Sequence, residues 1–137
     1  MAWIFFRLGN LMRFKMTPEL PSFTTVMFHL FLCWLWQDAS FFYIHRALHH
    51  KSIYKYFHKI HHEFTAPISV VSMNSHPFEN LVCNLVTVGG AFPLVGCHIM
   101  TANLWTFVAM ISTINDHSGY HLPFLHSSEL HDYHHKV

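Results

Sequence analysis

From Leu81 to Asn115 the chain runs for 35 residues without one Asp, Glu, Lys or Arg. About 20 apolar residues already cross a bilayer as a helix. The run is therefore too long for one straight crossing, and it is interrupted at Gly89-Gly90 and again from Pro93 to Gly96. A membrane hairpin over about residues 81–115 fits it best, because helices satisfy their own backbone groups in lipid. The first arm is short enough to be re-entrant. A second run, "TTVMFHLFLCWLWQDASFFYI" over 24–44, holds one formal charge, Asp38, and reads as a single transmembrane helix.

Composition agrees. Charged residues make up 11% of the 137, against about 25% in ordinary soluble domains. The expected class is all-α: an integral membrane helical protein with a histidine-rich cap. Residues 1–22 read as an N-terminal segment and linker, and 23–137 as one domain. "MAWIFFRLGNLMRF" is too short to span and lacks a signal-peptide cleavage pattern. The net charge of +1 excludes the basic field that nucleic-acid binding needs. Cys33, Cys83 and Cys97 lie in apolar stretches without a C-x-x-C pair, and read as small hydrophobes.

Histidine carries the chemistry. Eleven of the fifteen fall into four clumps: His45, His49 and His50; His58, His61 and His62; His117 and His121; His131, His134 and His135. Residues three and four apart share a helix face, so two such imidazoles can grip one ion. In H-x2-H-H the adjacent third ring is turned about 100° aside, toward a neighbouring ion. Repetition of the unit converges many nitrogens on a two-metal centre. Imidazole suits iron, zinc, copper and nickel. The isolated His29, His98 and His126 read as core or interface residues. His76 reads equally as a supporting or substrate-facing group.

Sharing ions requires all four clumps on one side of the membrane. The chain must cross an even number of times between His62 and His117, and a hairpin does so. Arg46, Lys51, Lys55 and Lys59 place that side in the cytosol; Arg7, Arg13 and Lys15 argue weakly for the reverse. Asp38, two helical turns before His45, is expected to accept the distal N–H of a ligating histidine. Glu63, Asp116 and Asp132 stand beside ligand histidines and are candidates for the same task, with Glu79 a weaker one. Trp34, Trp36, Phe41 and Phe42 could line an apolar lipid site, but at this spacing they read rather as packing or lipid-facing residues.

"HRALHH", "HKIHHEFTAP" and "HDYHH" resemble the three histidine boxes of the fatty acid hydroxylase and sterol desaturase superfamily. "SMNSHPFEN" and "DHSGYHLPF" resemble connecting motifs of its methylsterol monooxygenase branch. The similarity covers about Glu19 to His135. It implies a multi-pass enzyme of the endoplasmic reticulum membrane with its boxes facing the cytosol. It also implies a non-haem centre of two iron ions, with zinc as a substitute. Dioxygen is the oxidant, and electrons come from NAD(P)H through a reductase and a b-type cytochrome. The ligands carried over by position are His45, His50, His58, His61, His62, His117, His121, His131, His134 and His135, with His49 competing with His50. The substrate would be a lipid: sterol C4-methyl oxidation, or hydroxylation of a fatty acyl chain or sphingolipid.

The family carries further helices before "ELPSF" and some thirty residues after the last box, so a truncated form is expected. Two rival readings follow. One is an inactive regulatory or scaffold membrane protein that keeps the metal site. The other is a zinc-dependent membrane hydrolase, which needs fewer histidines per ion and a carboxylate base.

Overall fold

The computed structural model describes residues 13–66, 68–125 and 127–136. Most of the Met1–Phe14 segment and His126 lie outside them. Among the described residues the regular structure is helical, and the one β pairing is an isolated bridge between Lys15 and His98.

Helix α1 spans Phe23–Leu48. Pro21 ends the linker, and Ser22 caps the helix by accepting from the Thr25 N–H at 3.3 Å. The helix runs beyond the expected end at Ile44, so His45 sits on its last turn. A one-turn helix α2, Lys51–Tyr54, and two 3-10 turns, His58–Glu63 and Ser69–Met73, follow. Helix α3 runs from Pro77 to Val95 and α4 covers Ile99–Asp116. A short α5, Glu129–Lys136, ends the described chain.

The uncharged block is a helical hairpin, α3 and α4, and its break falls at the second expected interruption, Pro93 to Gly96, rather than at the glycine pair. The helix continues across Gly89-Gly90 because a missing side chain there admits Trp36. The Trp36 indole donates to the Val86 carbonyl at 3.1 Å. A Cβ on Gly90 would collide with that carbonyl oxygen and lie 2.9 Å from Trp36 Nε1. The reversal falls at Gly96, whose φ of 61° is left-handed and suits glycine. His98 then caps α4: its Nδ1 accepts from the Met100 N–H at 3.2 Å, and its Nε2–H donates to the Thr17 carbonyl at 3.0 Å. Gly90→Ala should therefore cost about 1–3 kcal/mol of stability, the usual cost of overpacking. Thermal unfolding in detergent measures it.

Part of α3 is a π-helix, Asn80–Val86. Such segments are rare and collect at functional sites.

The apolar core sits at the hairpin-turn end: Cys33, Ala91, Phe92, Cys97, Ala102 and Trp105, with Trp36 and Phe14 packed against it. All three cysteines are buried and unpaired. Because both hairpin arms start and finish at the other end, that end gathers the last turn of α1, the start of α3 and the end of α4.

Among the described residues, one helix, α3, is long and apolar enough to cross a membrane by length and composition. The span expected over 24–44 does form a helix, but His29, Gln37 and Asp38 hold it below that apolarity. Large apolar side chains nevertheless stay exposed on all three long helices, among them Phe28, Phe31, Trp34 and Phe42 on α1, Leu85 and Leu94 on α3, and Phe107 and Met110 on α4.

Candidate metal centre

Nine of the eleven clustered histidines meet at the gathered end. His45, His49, His58 and His134 form one quartet, and His61, His117, His131 and His135 a second; within each, the ligand nitrogens lie within 4.8 Å of one another. His62 joins them. Its Nε2 is 3.0 Å from His58 Nε2, and its ring stacks on His135 at 4.6 Å between centroids.

Local structure explains the sorting. On α1, His45 and His49 are four apart and face one way. On α5, His131 and His135 are four apart and enter the second quartet, while His134 turns aside into the first. On the 3-10 turn, His58 and His62 stay on the first side and His61 reaches the second, 3.4 Å from His117 Nε2.

The nitrogens crowd each other as bare lone pairs do not tolerate. His134 Nε2 lies 2.9 Å from His45 Nε2 and 3.1 Å from His49 Nε2. His131 Nε2 lies 2.9 Å from His117 Nε2 and 3.0 Å from His135 Nε2. One proton at most can sit between each pair, whereas a cation would satisfy every lone pair in a quartet. Ion-to-imidazole distances of about 2.0–2.1 Å place opposite ligands about 4 Å apart, which matches the quartets. The residues present fit two metal ions.

Two rings are locked from behind. His58, fully buried, donates Nδ1–H to Glu79 Oε1 at 2.7 Å. His117 donates Nδ1–H to the Thr113 carbonyl at 2.9 Å. Each bond leaves Nε2 as the lone-pair atom facing the quartets, the arrangement a ligand needs.

Burial, followed by the mutual repulsion of neighbouring rings, holds most of these rings below the usual histidine range. His45, His62 and His131 are pushed down to about 2, His61 to about 3, and His49 and His135 to about 4. In the unfolded chain each returns to about 6.5. Folded values lie below unfolded ones, so the unfolded chain takes up protons first on acidification. Stability of the metal-free protein should be complete above about pH 6.5 and fall steadily toward pH 4. Thermal unfolding across pH 8 to 4.5 checks this, with a flat profile contradicting it.

Two histidines stand apart. His50 caps α2, its Nδ1 accepting from the Ser52 N–H at 3.3 Å, so His49 occupies the place carried over to His50. His121 is exposed in the loop after α4 and belongs to neither quartet. His76 caps α3, accepting from the Phe78 N–H at 3.1 Å, and packs edge-on against Phe57.

The carboxylate hydrogen-bonded to a clustered ring is Glu79, ranked low from the sequence. Asp38 is exposed beside Phe42 and Arg46. Glu63 is exposed, and Asp132 is partly buried with its Oδ1 lacking a hydrogen-bond partner among the described residues. Asp116 lines the cavity next to His117. Phe41 also proves to be a site residue: it stacks on His45 at 5.0 Å and faces the cavity. Its four-residue spacing from His45 was the available signal.

A cavity of about 100 Å³ opens between α1, α3 and α4 against both quartets, touching His45, His61, His117 and His131. The sequence pattern of the fatty acid hydroxylase family matches residues 30–137, which include every histidine of both quartets. The chain belongs to the fatty acid hydroxylase family.

Its relatives include fatty acid hydroxylase domain-containing protein 2 of Homo sapiens, 45% identical over 117 residues, covering 85% of this chain and 35% of the relative. Fatty acid hydroxylase ahd1 of Mycosarcoma maydis is 42% identical over 116 residues, covering 85% and 30%. Very-long-chain aldehyde decarbonylase GL1-8 of Oryza sativa subsp. indica is 35% identical over 140 residues, covering 96% and 52%. The chain thus spans about a third to a half of the length of these relatives. No solved structure matches it.

Proposed function

We propose that the chain carries the metal centre of a membrane-bound non-haem di-iron oxygenase that hydroxylates a lipid, with dioxygen as oxidant. One observation carries this reading: eight imidazole nitrogens sorted into two adjacent quartets beside one cavity. Iron ions bound there would supply activation of dioxygen and oxidation of an unactivated C–H bond. Two positions of four imidazoles each exceed the three protein ligands and one water of a single-zinc hydrolase, and imidazole suits iron.

The chain's own residues supply the rest. His58 and His117 are held in the tautomer that presents Nε2. Phe41 and Val88 wall the cavity with carbon. The exposed apolar belt on α1, α3 and α4 faces lipid, since a soluble protein rarely leaves so much apolar surface bare. By the family resemblance, the centre lies at the cytosolic face of the endoplasmic reticulum. Electrons arrive there from NAD(P)H through a reductase and a b-type cytochrome, and the substrate is a sterol or a fatty acyl lipid.

The test is metal analysis with Mössbauer spectroscopy on purified protein. A parallel lipid profile of cells lacking the gene scores C4-methyl sterols and hydroxylated sphingolipids. About two irons per chain and an altered lipid profile are expected. Iron without a lipid change would leave a scaffold that keeps its metal site, and zinc in place of iron would favour the hydrolase.

A further inference from the structure

A second cavity adjoins the metal site. A groove of about 350 Å³ runs between α3 and α4, lined by Leu85, Gly89, Phe92, Thr106, Ala109 and Met110 among others. Asn84, Val88 and Thr113 line both spaces, so the groove meets the metal cavity at these three residues. The groove wall is nearly all carbon, whereas the metal cavity adds the polar side chains of Gln37, Ser72, Ser75 and Thr87. An amphipathic lipid would lay its hydrocarbon in the groove and its polar end beside the histidines.

Polar groups of the metal cavity specify which polar end. Gln37 projects from α1 two turns before His45, at a depth where unsatisfied polar groups are costly. Its Oε1 is buried, and no donor reaches it among the described residues. Across the cavity, Asn84 gives one Nδ2 hydrogen to Asn80 Oδ1. An amide nitrogen carries two hydrogens, so one remains. Among the polar groups of the metal cavity, Gln37 thus keeps an unmet acceptor and Asn84 a spare donor. A hydroxyl matches both, donating to Gln37 Oε1 and accepting from Asn84. A carboxylate, ester or ketone brings no donor for Gln37.

We propose that Gln37 and Asn84 read the hydroxyl of an alcohol-bearing lipid whose hydrocarbon lies in the α3–α4 groove. This deepens the oxygenase reading and rests on it for the lipid's fate, while the binding itself requires no metal. The shared chemistry is a lipid O–H on an apolar body, which a long-chain alcohol and a hydroxysterol both present.

The test uses the full chain in phosphatidylcholine vesicles with three photoactivatable diazirine probes: a long-chain alcohol, its methyl ether and a 3-hydroxysterol. Labelled peptides are mapped by mass spectrometry, and metal content is measured on the same preparations. At least one hydroxyl probe should label Leu85–Phe92 and Thr106–Met110, with the ether labelling at least tenfold less than the alcohol where the alcohol is the occupant. Which hydroxyl probe labels identifies the lipid body. Gln37→Met should reduce hydroxyl-probe labelling at least tenfold without changing metal content. Ala109→Trp, which fills the groove, should remove labelling by every probe. Equal labelling by alcohol and ether, labelling outside the groove only, or undiminished hydroxyl-probe labelling of Gln37→Met overturns the proposal. Selective labelling of a preparation that takes up no iron would instead sink the oxygenase reading and leave this one standing.

Discussion

Replacing His49 with alanine is expected to remove about half of the bound metal, whereas His50→Ala leaves it unchanged. The two residues are neighbours, both histidine, and both part of the same clump. They differ in what their rings touch. His49 Nε2 lies 3.0 Å from His58 Nε2 and 3.1 Å from His134 Nε2; the His50 ring faces the Ser52 N–H and caps a helical turn. Loss of His49 takes one of four ligands from the first quartet and leaves the second intact. An ion held by three imidazoles and solvent exchanges far more readily, so iron per chain should fall from about two to about one, because binding energy scales with the ligand set. Oxidation that needs both ions should fall with it. His50→Ala should lose only a cap, about 1 kcal/mol of local helix stability. Metal analysis of the two purified variants decides this. Equal metal content in both would mean that the quartets do not hold ions as arranged.

Glu79→Gln is expected to lower metal affinity 10–100-fold while the protein still folds. The carboxylate is 4% exposed, and its contact with His58 is the one ion-pair geometry among the described residues. A carboxylate that accepts the distal N–H fixes the tautomer and raises the basicity of a metal-bound imidazole. Mutation of such a partner typically costs 10–100-fold, about 1.4–2.7 kcal/mol. Glutamine keeps the volume and can still accept from Nδ1–H, but it carries no charge. Glu79→Leu should be worse, since it leaves a buried N–H without an acceptor, at about 1–3 kcal/mol. Asp38→Asn serves as the contrast: it removes a carboxylate nearer the ligands in sequence and should leave affinity unchanged. Competition with a chromogenic chelator measures all three. A large effect at Asp38 with none at Glu79 would return the supporting role to α1.

These two predictions mark where local reading stops. Spacing of three and four, repeated in four clumps, identifies imidazoles that share a face, because helical geometry acts within one or two turns. The same logic makes the uncharged block return to its starting side. The hairpin, the three-helix apolar body and the gathering of the boxes at one end all follow from it.

The choice between His49 and His50 does not follow, since either keeps a box-like spacing. It depends on the rotation of α1 about its axis, which the buried Cys33 and the seat of Trp36 on Gly90 determine. Nor could the partner of His58 be read from the chain, where Glu79 is twenty-one residues away across a loop and two 3-10 turns. Asp38 stands at a helical multiple from His45 and is the better candidate by spacing alone. Yet α1 turns it outward, because the apolar face of that helix is taken by α3 and α4.

What the chain determined unaided is its helical class and the clumping of most of the histidines that meet, both set by short-range periodicity and by the absence of charge. What only the tertiary structure decided is which nitrogens meet, which carboxylate supports them and where the apolar groove joins the metal cavity. Those depend on the relative rotation and depth of packed helices, and helices pack by the shapes of side chains distant in sequence.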